Sequence, residues 1–276
     1  MFEKIWNIAE GGINASGNIK TAKQLMIVAK AANADFIKWQ KRDPRSSVPE
    51  EKQDQEKIVP WREEPTTYLQ YKLDIEWNGS QYKELKDFAK GIELDMFSSA
   101  WDLSSAVFLA NYDNVVKIPS AKINNLTLLD YCKNAFDLKI MSCGMSTEKE
   151  IEEAVSVLNP DVIMHTNSVY PTQVNDLNLK YIIWLREKYP KIYIGYSSHY
   201  YGITDAPMAL SLGASWFEKH ICLSHNDWGS DIKSSVEPHG YCKMVKTLVE
   251  LNDGLKGYEE RKLYPGEEKK RSDLRG

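Results

Sequence analysis

The chain has 276 residues, 42% of them hydrophobic, and carries a formal charge of -4 from 35 basic and 39 acidic side chains. That size and composition allow one large hydrophobic core, and the mild acidity, without a domain-sized basic patch, argues against a nucleic-acid role. Its four cysteines, Cys132, Cys143, Cys222 and Cys242, form no Cys-x-x-Cys pair, so no zinc knuckle or disulfide framework is expected and reduced thiols are.

The N-terminus opens directly on a strand-like run, Ile5-Trp6-Asn7-Ile8-Ala9, without the basic region, apolar stretch and cleavage site of a leader. No apolar run reaches membrane-spanning length, so a soluble, unexported, cytoplasmic protein is expected. Short apolar runs then alternate with amphipathic stretches. Strands are expected at 5–9, 36–39, 96–98, 115–118, 139–142, 162–165, 192–195 and 215–218. Helices are expected at 21–32, 80–90, 104–111, 125–134, 147–158, 179–188, 204–212 and 241–255. The order is βα eight times over. Parallel strands need crossover helices, and right-handed repetition of that unit closes into an α/β fold of the (β/α)8 TIM-barrel type. A doubly wound open sheet fits the same periodicity.

Thr147 ahead of Glu150 reads as an N-cap before an acidic first turn, and Gly91 and Gly213 sit where helices should stop. The expected division is a single barrel domain over 1–258 and a tail over 259–276, whose basic cluster Lys269, Lys270 and Arg271 is solvated. One connection stands out, the irregular stretch 43–79 after the second strand, with Pro44, Pro49, Pro60 and Pro65 and the aromatics Trp61, Tyr68, Tyr71 and Trp77. A structureless loop of that length is expected to be functional, either as an ordered lid or as a surface packed on a partner subunit.

Active sites in this architecture lie at the C-terminal ends of the strands. The polar residues there are Glu10, Lys38, Gln40, Ser98, Ser99, Asp102, Lys117, Ser120, Ser142, His165, Ser168, Tyr170, Ser197, His199, Glu218 and His220. His199 and His220 end successive strands, which suits a divalent metal with positions left open for substrate. Lys38, Lys117 and Lys219 would balance a phosphate and a carboxylate, because buried lysines need anionic partners. Strand alternation sends Lys219 to the face opposite Glu218, so a contact outside the barrel competes with that role. A lone strand-end histidine such as His165 reads as structural, while Glu10 and Asp231 also admit capping roles. Trp101 and Trp228 are the tryptophans expected nearest a ligand.

Nine segments in order resemble the sialic acid synthase (N-acetylneuraminate synthase) family, which condenses phosphoenolpyruvate with an N-acylated amino sugar. They are Ile8-Ala9-Glu10-Gly11-Gly12-Ile13-Asn14, Ile37-Lys38-Trp39-Gln40, Ser98-Ser99-Ala100-Trp101-Asp102, Val116-Lys117-Ile118-Pro119-Ser120, Ser142-Cys143-Gly144-Met145, 165–171, 195–199, Glu218-Lys219-His220, and Gly229-Ser230-Asp231 with Glu237-Pro238. The resemblance implies that Lys38, Ser99, Lys117, Ser142 and Ser197 hold phosphoenolpyruvate, with Ser120 and Ser168 completing the substrate site. It implies that His199 and His220 bind a divalent ion, typically manganese or magnesium, and that Glu10, Gln40, Tyr170 and Asp231 contact the sugar. Glu10, Glu218 and His199 form the implied catalytic set, and a homodimer is the implied assembly.

The chain departs from the better-known enzymes of that family at three points. They carry His where Ala15 stands and an acid where Lys122 stands, and they have a C-terminal antifreeze-like domain that delivers an arginine to the acyl-amino group in a neighbouring subunit. This chain is expected to lack that domain and to resemble a shorter branch. Two alternatives follow: a catalytically decayed sugar- or phosphate-binding barrel, or a metal-dependent aldolase using pyruvate. A third makes Lys38 or Lys117 a Schiff-base lysine.

Overall fold

The computed structural model describes residues 2–257 and 259–275. Eight parallel strands form a closed barrel: β1 (Trp6–Gly12), β2 (Phe36–Lys41), β3 (Asp95–Ala100), β4 (Val115–Ile118), β5 (Leu138–Ser142), β6 (Val162–His165), β7 (Tyr193–Ser198) and β8 (Trp216–His220). Each pairs with its neighbours in sequence and β1 pairs with β8, so the (β/α)8 expectation holds and the open sheet is set aside. Eight helices alternate with the strands: α1 (Ile19–Ala31), α2 (Gly79–Gly91), α3 (Leu103–Leu109), α4 (Leu126–Ala135), α5 (Glu148–Leu158), α6 (Tyr181–Lys188), α7 (Asp205–Ser211) and α8 (Pro238–Gly254).

Helix boundaries follow local chemistry. Thr147 caps α5 and Glu150 reaches back to the Thr147 amide at 2.7 Å, a reciprocal box that satisfies two orphan donors. Gly213 takes φ +100° just past α7, a conformation that costs glycine least. α8 starts three residues before the expected 241, because Pro238 occupies the first turn, where its missing N–H costs nothing.

Alternation along the strands sorts the barrel interior into levels. At the bottom, Trp6, Phe36 and Trp216 pack together, with the Trp6 and Trp216 rings 5.0 Å apart. Gly195 makes room here, since a Cβ on it would fall 2.8 Å from the Trp216 side chain. Ile8, Phe97, Ile140 and Met164 fill the middle. The next inward positions, at the C-terminal ends, are polar. The larger core lies outside the barrel, between the opposite strand faces and the helices, and includes Trp39, Leu85, Met141 and Leu210.

The stretch 43–79 is not structureless. It holds short helices Pro44–Ser47, Glu50–Gln53 and Tyr68–Asp74 and a two-stranded antiparallel pair, Glu56–Lys57 with Thr66–Thr67. Val59, Tyr71 and Ile75 form a small core with Ile13 and Trp228, so its aromatics pack on this chain's own β1 and β8 connections. The boundary expected at 258 falls on Tyr258, outside the described residues. Beyond it, the expected tail contains an exposed helix, Pro265–Arg275. Among the described residues, no helix is long and apolar enough to cross a membrane.

Asp102 anchors this segment. One carboxylate oxygen accepts from the Ser105 amide at the start of α3 and the other from the Asp43 amide, both at 2.7 Å. Asp102→Ala should cost about 1–3 kcal/mol of stability in urea unfolding, from a lost cap and a stranded amide.

Candidate active site

Strand register brings the polar upper level together. Glu10 stands beside Lys38 on one side and His220 on the other. Ser99 stands beside Lys117 and Gln40, and Ser197 beside Glu218. These side chains line a cavity of about 120 Å³, shared with Ser120, Ser142, Ser168, Tyr170, His199, Trp101 and Thr166. Every residue to which the resemblance gives a substrate, metal or catalytic role lines it except Asp231, whose carboxylate lies 3.9 Å from His220 Nδ1 at its edge. A wider, open cleft of about 750 Å³ adjoins it and shares Met145, Thr166 and Ser168.

At the floor of the cavity four buried charges alternate. Lys38 Nζ lies 2.7 Å from Glu10 and 3.6 Å from Glu218, and Lys117 Nζ lies 2.7 Å from the same Glu218 oxygen. Ser197 donates to that oxygen at 3.1 Å, and Gln40 donates to Glu10 at 3.2 Å. Burial alone would raise the Glu218 pKa, but Lys117 and Lys38 outweigh it and hold the carboxyl well below its ordinary range. The lysines diverge. Burial opposes the charge on Lys38, yet Glu10 and Glu218 raise its pKa; burial and the like charge of Lys38 lower that of Lys117.

Two imidazoles stand above this floor, their ring centroids 5.5 Å apart, with the Tyr170 ring 3.9 Å from that of His199. His199 Nδ1 donates to the Asn167 carbonyl at 2.6 Å, which leaves Nε2 as the acceptor of the neutral ring. Burial and the neighbouring His220 keep the His199 pKa well below that of a free histidine, so the ring is neutral at pH 7. His220 Nδ1, Ser142 Oγ and Glu218 Oε2 are buried without hydrogen-bond partners. Such a convergent set of unsatisfied atoms suits a polar ligand.

Other expectations divide. Lys219 does not join the cationic set: it faces outward, bonded to Ser198 Oγ at 3.0 Å and to the Tyr200 carbonyl, because its odd register position points away from Glu218 and His220. Ser98 likewise faces out, 2.8 Å from the Tyr82 hydroxyl. His165 is structural, bonded through Nε2 to the Leu177 carbonyl at 2.9 Å. Lys122 is half-buried on a turn beside Ser120 and does not line the cavity. Gly144 permits the close approach of two site serines, since a Cβ there would fall 2.4 Å from Ser168 Oγ and 3.0 Å from Ser120 Oγ.

Sequence reasoning missed Thr166, Asn167 and Arg42. Arg42 continues the inward alternation of Lys38 and Gln40, bonds to Gln40 and stacks 4.0 Å from the Trp101 ring. That period was readable, but the apolar run used to mark the strand stops at Trp39. Asn167 acts through its backbone carbonyl, which leaves no trace in residue type.

The chain matches the NeuB family over residues 25–259. It is 32% identical over 265 residues to an N,N'-diacetyllegionaminic acid synthase of Campylobacter jejuni, covering 90% of this chain and 78% of the relative. It is also 32% identical over 246 residues to an N-acetylneuraminate-9-phosphate synthase of Drosophila melanogaster, covering 86% of this chain but 65% of the relative, so it spans less than two thirds of that protein. Among solved structures, an N-acetylneuraminic acid (sialic acid) synthetase of Leptospira borgpetersenii in complex with citrate superposes with a TM-score of 0.86 at 27% identity, covering 99% of this chain and 93% of that one.

Glu218→Gln removes the anion between the two lysines and strands the Lys117 ammonium. It should destabilise the protein by about 3–5 kcal/mol at pH 7 in urea unfolding. Because the folded Glu218 pKa is depressed, its contribution is present above the ordinary value of 4.5 and is lost as pH falls further, so the gap between variant and wild type should close below pH 4.5.

Proposed function

We propose that this chain, which belongs to the NeuB family, condenses phosphoenolpyruvate with an N-acylated amino sugar such as N-acetylmannosamine to give a 3-deoxy-nonulosonic acid and inorganic phosphate. The observation that carries this reading is the buried Lys38, Glu10, Glu218 and Lys117 cluster beneath paired imidazoles. Related proteins are nonulosonic acid synthases, which supports an enzyme of carbohydrate biosynthesis. Assembly as a homodimer rests on the family resemblance.

The donor set fits a divalent cation, Mn2+ or Mg2+. Neutral His199 with its second nitrogen tied to a carbonyl, and His220 with an unpartnered buried nitrogen, are the ligand types such an ion takes. Among the described residues no cluster of three His, Cys, Asp or Glu groups is assembled for a metal, so water or substrate oxygens would complete the shell. When bound, the ion supplies Lewis acidity at the aldehyde oxygen and offsets the charge of a multiply anionic substrate, for which the neutral floor alone has little net attraction.

The chain's own groups do the rest. Lys38 and Lys117 hold the carboxylate and phosphate of phosphoenolpyruvate, with hydroxyls of Ser99, Ser142 and Ser197 and flanking support from Ser120 and Ser168. The methylene carbon of phosphoenolpyruvate attacks the open-chain aldehyde carbon, forming the new carbon-carbon bond and leaving a cationic centre at the former enol carbon. Water adds there and loses a proton, and the tetrahedral intermediate expels phosphate. The Glu218 carboxylate accepts the proton that the adding water loses, and the Glu10 carboxylate, beside Lys38 and Gln40, relays it to the former aldehyde oxygen, which becomes a hydroxyl. Fixed ammonium and hydroxyl groups stabilise the anionic centres throughout, which is preorganised electrostatics. Gln40, Tyr170 and Asp231 orient the sugar at the rim.

Incubation with Mn2+, phosphoenolpyruvate and an N-acylmannosamine should release phosphate, and a chelator should stop it. His199→Ala and His220→Ala should each lower turnover at least roughly 100-fold while keeping the fold, as read by circular dichroism. Tight binding without turnover would favour the decayed barrel, and product formation from pyruvate alone would favour the aldolase. Lys122 lies outside the cavity lining, so Lys122→Glu should keep the activity in the same assay.

A further inference from the structure

The wall behind the two imidazoles carries a charge that the chemistry above does not use. Lys219 is 0% exposed and lies on the outer face of β8, between the inward-facing Glu218 and His220. Outward positions elsewhere on the barrel are mostly apolar, as Trp39, Met141, Ile163 and Ile194 show. A buried ammonium costs far more than an aliphatic side chain packed in its place, so packing alone does not account for it.

Its contacts reach across to β7. The Lys219 ammonium donates to Ser198 Oγ at 3.0 Å and to the Tyr200 carbonyl. Ser198 in turn donates to Asp205 Oδ2 at 2.5 Å, and the same oxygen accepts from the Tyr196 hydroxyl at 2.9 Å. Asp205 is buried in the first turn of α7, and its charge opposes the cost of burying the ammonium. One compensated pair, bridged by a serine hydroxyl, thus joins β7, β8 and α7.

The bridge stands where strand pairing runs out. Main-chain pairing of β7 with β8 ends at Ser198 with Lys219, so His199 and His220 lie one residue beyond it. His220 is still paired with Glu10 of β1, but not with β7. The Asn167 carbonyl fixes the His199 ring, and the Thr172 amide donates to the His199 carbonyl at 3.0 Å, whereas His220 Nδ1 has no partner. Lys219 precedes His220 and binds the carbonyl of the residue that follows His199. That tie sets one ring against the other.

We propose that Lys219 is a positioning residue for the imidazole pair, its tie to the Tyr200 carbonyl fixing the spacing of His199 and His220 at which one divalent cation is held. The cation rests on the reading given above; the spacing of the rings does not.

Mn2+ titrated calorimetrically into the full chain tests the first, and NMR of the histidine ring signals in the metal-free protein tests the second. Lys219→Met should raise the Mn2+ dissociation constant roughly 10- to 100-fold, the usual effect of losing a group that holds a ligand in place. It should also shift the His199 and His220 signals and leave that of His239, on α8, unmoved. Adding Asp205→Asn removes the carboxylate that the first change strands, so stability in urea should recover in part while Mn2+ affinity does not. If the single variant does not fold, the double variant is read in its place. Lys139→Met removes another buried lysine of the outer face, 3.0 Å from Asp161, and should lose stability yet bind Mn2+ as the wild type does. Unmoved His199 and His220 signals, or Mn2+ bound as tightly by a folded Lys219→Met, would overturn the proposal. So would an affinity that returns with stability in the double variant or falls equally in Lys139→Met, because the role would then be structural. A wild type that takes up no Mn2+, while Lys219→Met still moves both ring signals, would defeat the metal reading and leave the positioning role standing.

Discussion

Two carboxylates and two ammonium groups share the upper level of a barrel whose lower levels are aromatic and aliphatic, and the site depends on their mutual neutralisation. Any one of these charges alone would be prohibitive to bury, since the effective penalty for an ion out of water is several kcal/mol. Together they are held at 2.7 Å in the Glu10–Lys38 and Glu218–Lys117 pairs, with Lys38 reaching both acids. The arrangement is neutral but not saturated. Glu218 Oε2 and Ser142 Oγ keep unfilled hydrogen-bonding capacity, and burial with the like charge of Lys38 lowers the Lys117 pKa. A site of that kind can exchange internal pairs for pairs with a ligand at modest cost, which uncompensated lysines or acids could not do.

The barrel makes this possible through register. Parallel strands present every second side chain inward, so one shift along each strand carries the interior from Trp216 to Glu218 to His220, and from Phe36 to Lys38 to Gln40. Apolar packing at the base is rigid and excludes water, and the polar level inherits that rigidity. The segment after β2 is tied down by Asp102 at one end and by packing on Trp228 at the other.

Much of this was legible in the residues. The βα alternation gave all eight barrel strands, and motif order brought distant serines, lysines and histidines to one mouth. The strand ends were not legible: β7 and β8 run on to Ser198 and His220, past the apolar stretch, because pairing with neighbours continues after hydrophobicity stops. Two-residue strands such as Glu56–Lys57 are too short to show a period, so the segment after β2 read as irregular, with only its aromatics to mark it as ordered. Alternation correctly left Lys219 in doubt, but the same rule applied to Ser98 would have turned it outward as well. Distances lay beyond the sequence altogether. Nothing in residue type announced that Glu218 would sit between two lysines, or that a backbone carbonyl would fix the tautomer of His199.

The charge cluster explains the site only if it functions as a cradle for an anion rather than as internal cement. Calorimetric titration of phosphoenolpyruvate, in the presence of Mn2+, into the wild-type chain and into Lys117→Met decides between the two. The account predicts one site per chain, with affinity weakened at least roughly tenfold in the variant, the scale of one charge-assisted contact. A folded variant that binds phosphoenolpyruvate as tightly as the wild type would contradict it.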